Sequence, residues 1–567
     1  MIIVCLVPPG AEADTLWKDT HPMRRPSVLS VRRRLTTRTT VHLAAFATVA
    51  AAVTVAATVV VVSPTQAQID RGRTRLDLET VTVAQLQQAM STRKITSEQL
   101  TSDYIARIRA LNTSGPGLNA VRVLNDRALE EARQADRERR RGTVRGPLHG
   151  IPVLVKDNID VRGLPTTAGA LALAGSYPSR DAFLVERLRA AGAVILGKTN
   201  LTEFANFTTN GMPSGYSGLG GQVLNPYDVS QTPSGSSSGS GSAAAAGLAA
   251  VTVGTETSGS ILSPSVANSL VGVKPTVGLV SRTGIVPIAA SQDTAGPMTR
   301  SVYDAAALLT AMTGVDPEDP VTETSGGVAG TDYTAALKKD ALQGVRVGVA
   351  GSPSGNQGAA FTRALDVLRA QGATLVQVTV NTGGMPPGIL DYEFKRDLNA
   401  YLARLPRNAP MKTLDDVVRY NLEHAAEGAI KFGQTQLVAS NEIDLDDPAA
   451  KAEYEADRDN GIATARSRID SVLAAEDLDA ILFSGNGSAG IGARAQYPSV
   501  AVPIGYDPAN GRPFGMTFLG TAYTEAALLS FAYAYEQASL EWRPPSVVNP
   551  SLFRCAAPAK PQRTCAP

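Results

Sequence analysis

The chain has 567 residues, of which 43% are hydrophobic and 19% charged, with a formal net charge of +1. So balanced a charge excludes a bulk electrostatic drive toward nucleic acid or acidic partners, and aromatics at 5% form no basic-aromatic stripe. Length alone permits about two to four domains.

In chain order, residues 1–67 read as an N-terminal extension and secretion signal, outside the fold. Arg24, Arg25, Arg32, Arg33, Arg34 and Arg38 make a basic stretch without an acid. A mostly apolar run over 43–62 follows, then small residues up to Ala67, where cleavage is expected. Arg32-Arg33-Arg34-Leu35 partly matches a twin-arginine signal, with Val31 where Ser or Thr is usual. The expectation is a secreted or extracytoplasmic protein. The rival is an uncleaved anchor, because the apolar run approaches the ~20 residues that span a bilayer. Met23, just before the basic stretch, is an alternative start.

The stretch 97–111 predicts an amphipathic helix, with Leu100, Tyr104, Ile108 and Leu111 on one face and Ser97 as its cap. Residues 125–141 predict a charged helix, 153–155 a buried strand ending at Lys156, 181–191 a helix and 193–196 a strand. An alanine-rich helix is expected over 243–250 and a strand over 251–253. Residues 314–332 form a polar connector. Beyond it, 345–350 and 375–380 read as strands around a helix at 360–371. Strands at 478–483, 499–504 and 514–519 and a helix at 524–538 close the fold. Strands and helices interleave on both sides of the connector, which predicts one α/β unit over 78–545. The tail 546–567 carries Cys555 and Cys565, either a small terminal disulfide or two free thiols.

Only four histidines are present, two of them in or before the signal. His149 sits in a Gly-Pro turn and reads as structural; His424 lies on a probable helix. A histidine base is therefore disfavoured. Nothing resembles HExxH or paired CxxC, so no metal is expected, and no nucleotide or flavin motif is convincing.

Lys156 follows the apolar approach IPVLV. A lysine base must be neutral, and burial without a carboxylate partner lowers its pKa, because desolvation disfavours the cation. Asp157 is adjacent, but on an extended chain it points to the other face. The plain alternative is a strand-end lysine at a solvent edge. Downstream, TPSGSSSGS (232–240) and GTETSGSI (254–261) are turns rich in Ser and Gly, placing Ser236 twenty-four positions before Ser260. By composition the first could be a linker, yet it runs straight into an alanine-rich segment and a strand. A small-residue turn after a strand can aim several backbone N–H groups at one point, as an oxyanion hole does. It can also be a tight turn with no ligand.

Together these segments resemble the amidase signature family, whose glycine-serine, nucleophile and GxPxxxKD patterns match 232–240, 254–261 and 150–157. The segments 191–207, 271–302, 393–405 and 497–520 also read like family segments, and 393–405 looks closest to the peptide amidase branch. The resemblance implies an α/β fold: a single amidase-signature domain, a mixed twisted central β-sheet covered by helices on both faces. It implies Lys156 as general base, Ser236 as bridging serine behind a cis Gly235–Ser236 bond, and Ser260 as nucleophile. Backbone N–H groups of Thr257, Ser258 and Gly259 would form the oxyanion hole. Cofactors: none. The substrate expected is a carboxamide, with peptide C-terminal amides favoured; aryl-acylamides and small aliphatic amides stay open. So does a catalytically silent binding protein on the same fold. Ser234, Ser238 and Ser258 depart from family glycines, and Ser258 would strain its turn if the position needs a positive φ. Asp293 matches a family position and reads as structural support. Whether the protein is a monomer or homodimer is open.

Overall fold

A stack of fully buried strands carries the molecule. The computed structural model describes residues 76–384 and 389–553. The expected signal or anchor, the alternative start and the Cys555–Cys565 pair lie outside the described residues.

The strands are β1 (Val121–Leu124), β2 (Pro152–Lys156), β3 (Val194–Thr199), β4 (Tyr216–Ser217), β5 (Gly221–Gln222), β6 (Val251–Glu256), β7 (Val271–Lys274), β8 (Thr294–Thr299), β9 (Arg346–Ala350), β10 (Thr374–Val378), β11 (Ala480–Ser484), β12 (Ser499–Tyr506) and β13 (Pro513–Leu519). Eleven form one sheet in the order β1-β3-β2-β6-β8-β7-β12-β13-β11-β9-β10, while β4 and β5 pair separately. The sheet is mixed: β3, β2 and β6 run parallel, β6 through β11 alternate antiparallel, and β11, β9 and β10 are parallel again. Every residue of β2, β3, β6 and β8 is buried, so both faces are covered there. This is the mixed, helix-covered sheet that the sequence predicts.

Helix Ser97–Leu111 buries the predicted face, but its cap is Thr96, whose side chain accepts the Gln99 N–H in a capping box. The Ser97 hydroxyl instead donates to Gly150 O at 2.7 Å. The predicted helix at 243–250 is shifted: it spans Ser238–Ala245 and begins inside the serine run. Close packing explains this. A Cβ on Gly239 would stand 2.3 Å from Asn200 O and 2.4 Å from Ala120 O, so the helix backs onto neighbouring backbone where only small residues fit. Strand β6 runs three residues further than predicted, to Glu256. The connector 314–332 holds a short 3-10 helix, Pro320–Ser325, with Asp316, Asp319 and Thr322 buried, so it is packed structure. Strand β8 reads TAGPMT, a turn by composition; in the fold Pro297 pairs with Val253 in mid-sheet. Helix Pro448–Glu476 has 29 residues. No described helix is long and apolar enough to cross a membrane.

Candidate active site

The parallel pairing of β2 with β6 sets Val155 beside Val253, so the two strands end together. Lys156 closes β2. Thr255 and Glu256 close β6, and the turn 257–261 leaves from the same edge. Lys156 is fully buried. Its Nζ donates to Ser236 Oγ at 2.8 Å, to Thr255 Oγ1 at 2.8 Å and to Thr255 O at 3.4 Å. Burial pushes its pKa from the ordinary 10.5 down to about 7, against the weaker pull of Asp293 and Glu256. The solvent-edge alternative for this lysine is thereby removed.

Of the two other buried lysines, Lys198 provides a contrast, while Lys274, like Lys156, has no carboxylate in hydrogen-bond contact. Lys198 pairs with Asp157 at 3.1 Å, and Lys274 donates to Pro275 O and Tyr497 O at 3.0 and 2.8 Å. Asp157 turns away from Lys156 and meets Lys198 and Arg122. Lys156 therefore has hydroxyls and a carbonyl as its partners, with no carboxylate in hydrogen-bond contact.

Ser236 is buried behind a cis Gly235–Ser236 peptide bond. Its carbonyl accepts the Thr202 N–H at 3.0 Å. The next residue ties the two serine loops together: Ser237 N–H donates to Ser260 O at 3.1 Å, and its hydroxyl donates to Thr255 O at 3.0 Å. Among the described residues no hydrogen bond joins the Ser236 and Ser260 hydroxyls, so Ser260 is brought to the site through its backbone.

The turn 257–261 is shaped by Glu256, whose Oε2 accepts the N–H groups of Ile261 and Leu262 at 2.7 and 2.9 Å. The Gly259 N–H also faces this carboxylate. Among the described residues, no acceptor meets the N–H of Thr257, Ser258 or Ser260. Gly259 carries the positive φ of the turn, 89°, and Ser258 does not. Ser258 is exposed at the mouth, so the glycine it replaces was not required by the backbone. Ser234 is the departure that sits left-handed, at φ 63°. Ser238 is absorbed locally, donating to Ser234 O at 2.7 Å.

Asp293 braces the turn. One oxygen accepts the Thr257 hydroxyl, and the other accepts Ile288 N–H and Ala289 N–H at 2.8 and 3.0 Å. Burial pushes this carboxyl up to about 7, with the Thr257 and backbone bonds opposing. Its contacts are those of a support, as its sequence context suggests. His149 is buried with Nε2 3.0 Å from Ala135 O, and His424 stacks on Tyr420. Thr255, which shares Lys156 with Ser236, escapes the sequence reading; the alternation Val253, Thr255, Thr257 along β6 is the signal that places it on that face. Among the described residues no cluster of His, Cys, Asp or Glu could hold a metal.

The family model for Amidase matches residues 99–484. The chain belongs to the amidase family. It is therefore a hydrolase of amide C–N bonds. A probable amidase of Arabidopsis thaliana is 38% identical over 86% of this chain and 96% of its own length. The native peptide amidase of Stenotrophomonas maltophilia is 45% identical, with a TM-score of 0.77 over 82% of this chain and 98% of that one. An amidase family protein from Bacillus anthracis is 40% identical, with a TM-score of 0.79 over 82% of this chain and 92% of that one.

Proposed function

We propose that this amidase hydrolyses peptide C-terminal amides through a Lys156–Ser236–Ser260 relay and an acyl-enzyme, outside the cytoplasm. The observation that carries the relay is the 2.8 Å bond from Lys156 Nζ to Ser236 Oγ, made by a lysine with no carboxylate in hydrogen-bond contact. Neutral Lys156 takes a proton from Ser236 as Ser236 takes one from Ser260. Ser260 Oγ then forms a bond to the amide carbonyl carbon. The N–H groups of Thr257, Ser258 and Ser260 face the developing oxyanion, while that of Gly259, expected from the sequence to join them, is engaged by Glu256; loss of one oxyanion donor typically costs about 3 kcal/mol. As the C–N bond breaks, the proton returns through Ser236 and ammonia leaves. Water enters by the same relay and releases the acid.

Likeness to a peptide amidase at 45% identity supports the substrate class. The basic and apolar N-terminal segment supports export. The test is ammonia release by residues 68–567 from peptide amides, aliphatic amides and anilides, beside Ser260→Ala. Release from peptide amides that vanishes in the variant is expected. Turnover confined to anilides or small amides would overturn the substrate class. Equal turnover by the variant would overturn the relay. The N-terminal residue of the exported protein, expected to be Gln68, tests the placement.

A further inference from the structure

Helix Leu390–Arg404 makes no hydrogen bond to Lys156, Ser236 or Ser260 among the described residues, yet one face of it grips the loops around them. Glu393, Asp397 and Tyr401 recur every four residues and so form one stripe. Glu393 is fully buried. Its Oε2 accepts the Ser291 N–H at 3.0 Å and the Ser291 hydroxyl at 2.9 Å, and its Oε1 accepts the Tyr454 hydroxyl at 2.6 Å. Asp397 Oδ2 accepts the Ala290 N–H at 2.9 Å. Tyr401 donates to Asp160 at 2.7 Å, in the loop that follows Lys156.

The gripped loop in turn holds the nucleophile turn. Residues 288–293 reach Thr257 twice, through the Asp293 carboxylate and through Gln292 Nε2, which donates to Thr257 O at 3.4 Å. A buried carboxylate stabilises a fold poorly compared with a well-packed apolar side chain. The two carboxylates are spent on orienting backbone N–H groups, which apolar residues cannot do.

We propose that Glu393 and Asp397 are positioning residues for amide hydrolysis. They fix loop 288–293, which fixes Thr257 and aims the N–H groups of the nucleophile turn. The proposal rests on Ser260 being the nucleophile. Because those donors act on charge that develops in the transition state, their misplacement lowers kcat and leaves KM.

The test compares Glu393→Gln, Asp397→Asn and Tyr454→Phe in the full chain on a peptide amide. Glutamine cannot accept at both ends, and asparagine cannot serve both Ala290 and Arg396, which donates to Asp397 Oδ1 at 2.7 Å. Tyr454→Phe removes the outer bond to Glu393, together with the bonds that Arg396 and Arg458 donate to the same hydroxyl, leaves the bonds to Ala290 and Ser291 in place, and so controls for the outer shell and packing. The expected result is a kcat lower by about 10- to 100-fold in the first two, with KM within about twofold. Labelling of Ser260 by a fluorophosphonate slows in parallel, and Tyr454→Phe keeps kcat within about threefold of wild type. Folding is verified by thermal unfolding. Should Glu393→Gln not fold, Asp397→Asn carries the test, since its carboxylate is partly solvated. Wild-type kcat in both folded variants, a loss explained by KM, or an equal loss in Tyr454→Phe would overturn the proposal. Turnover persisting in Ser260→Ala would instead overturn the relay beneath it.

Discussion

Replacing Lys156 by methionine should change how stability depends on pH. The side chain is fully buried, with an ordinary pKa of 10.5 lowered to about 7 in the fold. That gap is worth about 5 kcal/mol, at about 1.4 kcal/mol per pH unit. Below about pH 7 both folded and unfolded chains carry the proton, and the fold bears the whole cost of a buried ammonium. Between about 7 and 10.5 the unfolded chain binds more protons, so wild-type stability rises with pH across that window. From pH 7 to 9 the wild type should gain about 2 kcal/mol that Lys156→Met lacks. Loss of the Nζ bonds to Ser236 and Thr255 shifts the variant by about 1–3 kcal/mol, but equally at each pH. Asp293 adds in the same sense. Without Lys156 its carboxyl titrates higher, and a carboxyl raised in the fold loses stability as pH climbs to that value. The assay is urea unfolding of both proteins at pH 7, 8 and 9. The pH profile of wild-type kcat/KM is its companion, with activity rising through an acid limb near 7. A stability difference flat from pH 7 to 9, or a limb near 10, would refute the neutral-lysine argument.

Lys198→Met should be costly in its own right. It strips Asp157 of a buried partner at 3.1 Å and should cost about 3 kcal/mol in unfolding free energy. Gly239→Ala forces a methyl within 2.4 Å of two carbonyl oxygens, neither on a movable side chain, and should cost about 3 kcal/mol in thermal unfolding. Ser234→Gly relieves a left-handed serine at φ 63° and should stabilise by about 1 kcal/mol with kcat unchanged.

The fold class and the segments that meet at the candidate site were legible in the sequence; several elements around them were not. Lys156, Ser236 and Ser260 are singled out by the resemblance of 150–157, 232–240 and 254–261 to family segments, each feature being weak alone, and the fold brings those three segments to one sheet edge. Helix 238–245 was misplaced because Ser and Gly are poor helix formers, and a close approach of backbones overrides propensity. Strand β8 hides behind Gly296-Pro297, which reads as a turn. A Cβ on Gly296 would lie 2.0 Å from Val273 O, so the glycine answers to a neighbour 23 positions away. Glu393 and Asp397 look like ordinary charges of an amphipathic helix; their partners at 290 and 291 are fixed only by the tertiary fold.

The backbone-to-backbone seating of helix 238–245 also bears on how this amidase could acquire new substrates. One wall of its site is frozen: every residue of that helix is Ser, Gly or Ala and buried, and a Cβ on Gly241 would already touch Asn268 at 2.9 Å. The exposed rim is looser, held by the bond from Asn486 Nδ2 to Ser263 Oγ at 2.6 Å. Ser258, Asn486 and Gly487 are exposed, although a Cβ on Gly487 would lie 3.3 Å from Phe483 and from Ser484 O, and one on Gly259 3.0 Å from Ser263 Oγ. Innovation in this enzyme, whether natural or in a saturation library, has room on the rim at 258 and 486 and almost none behind Ser236.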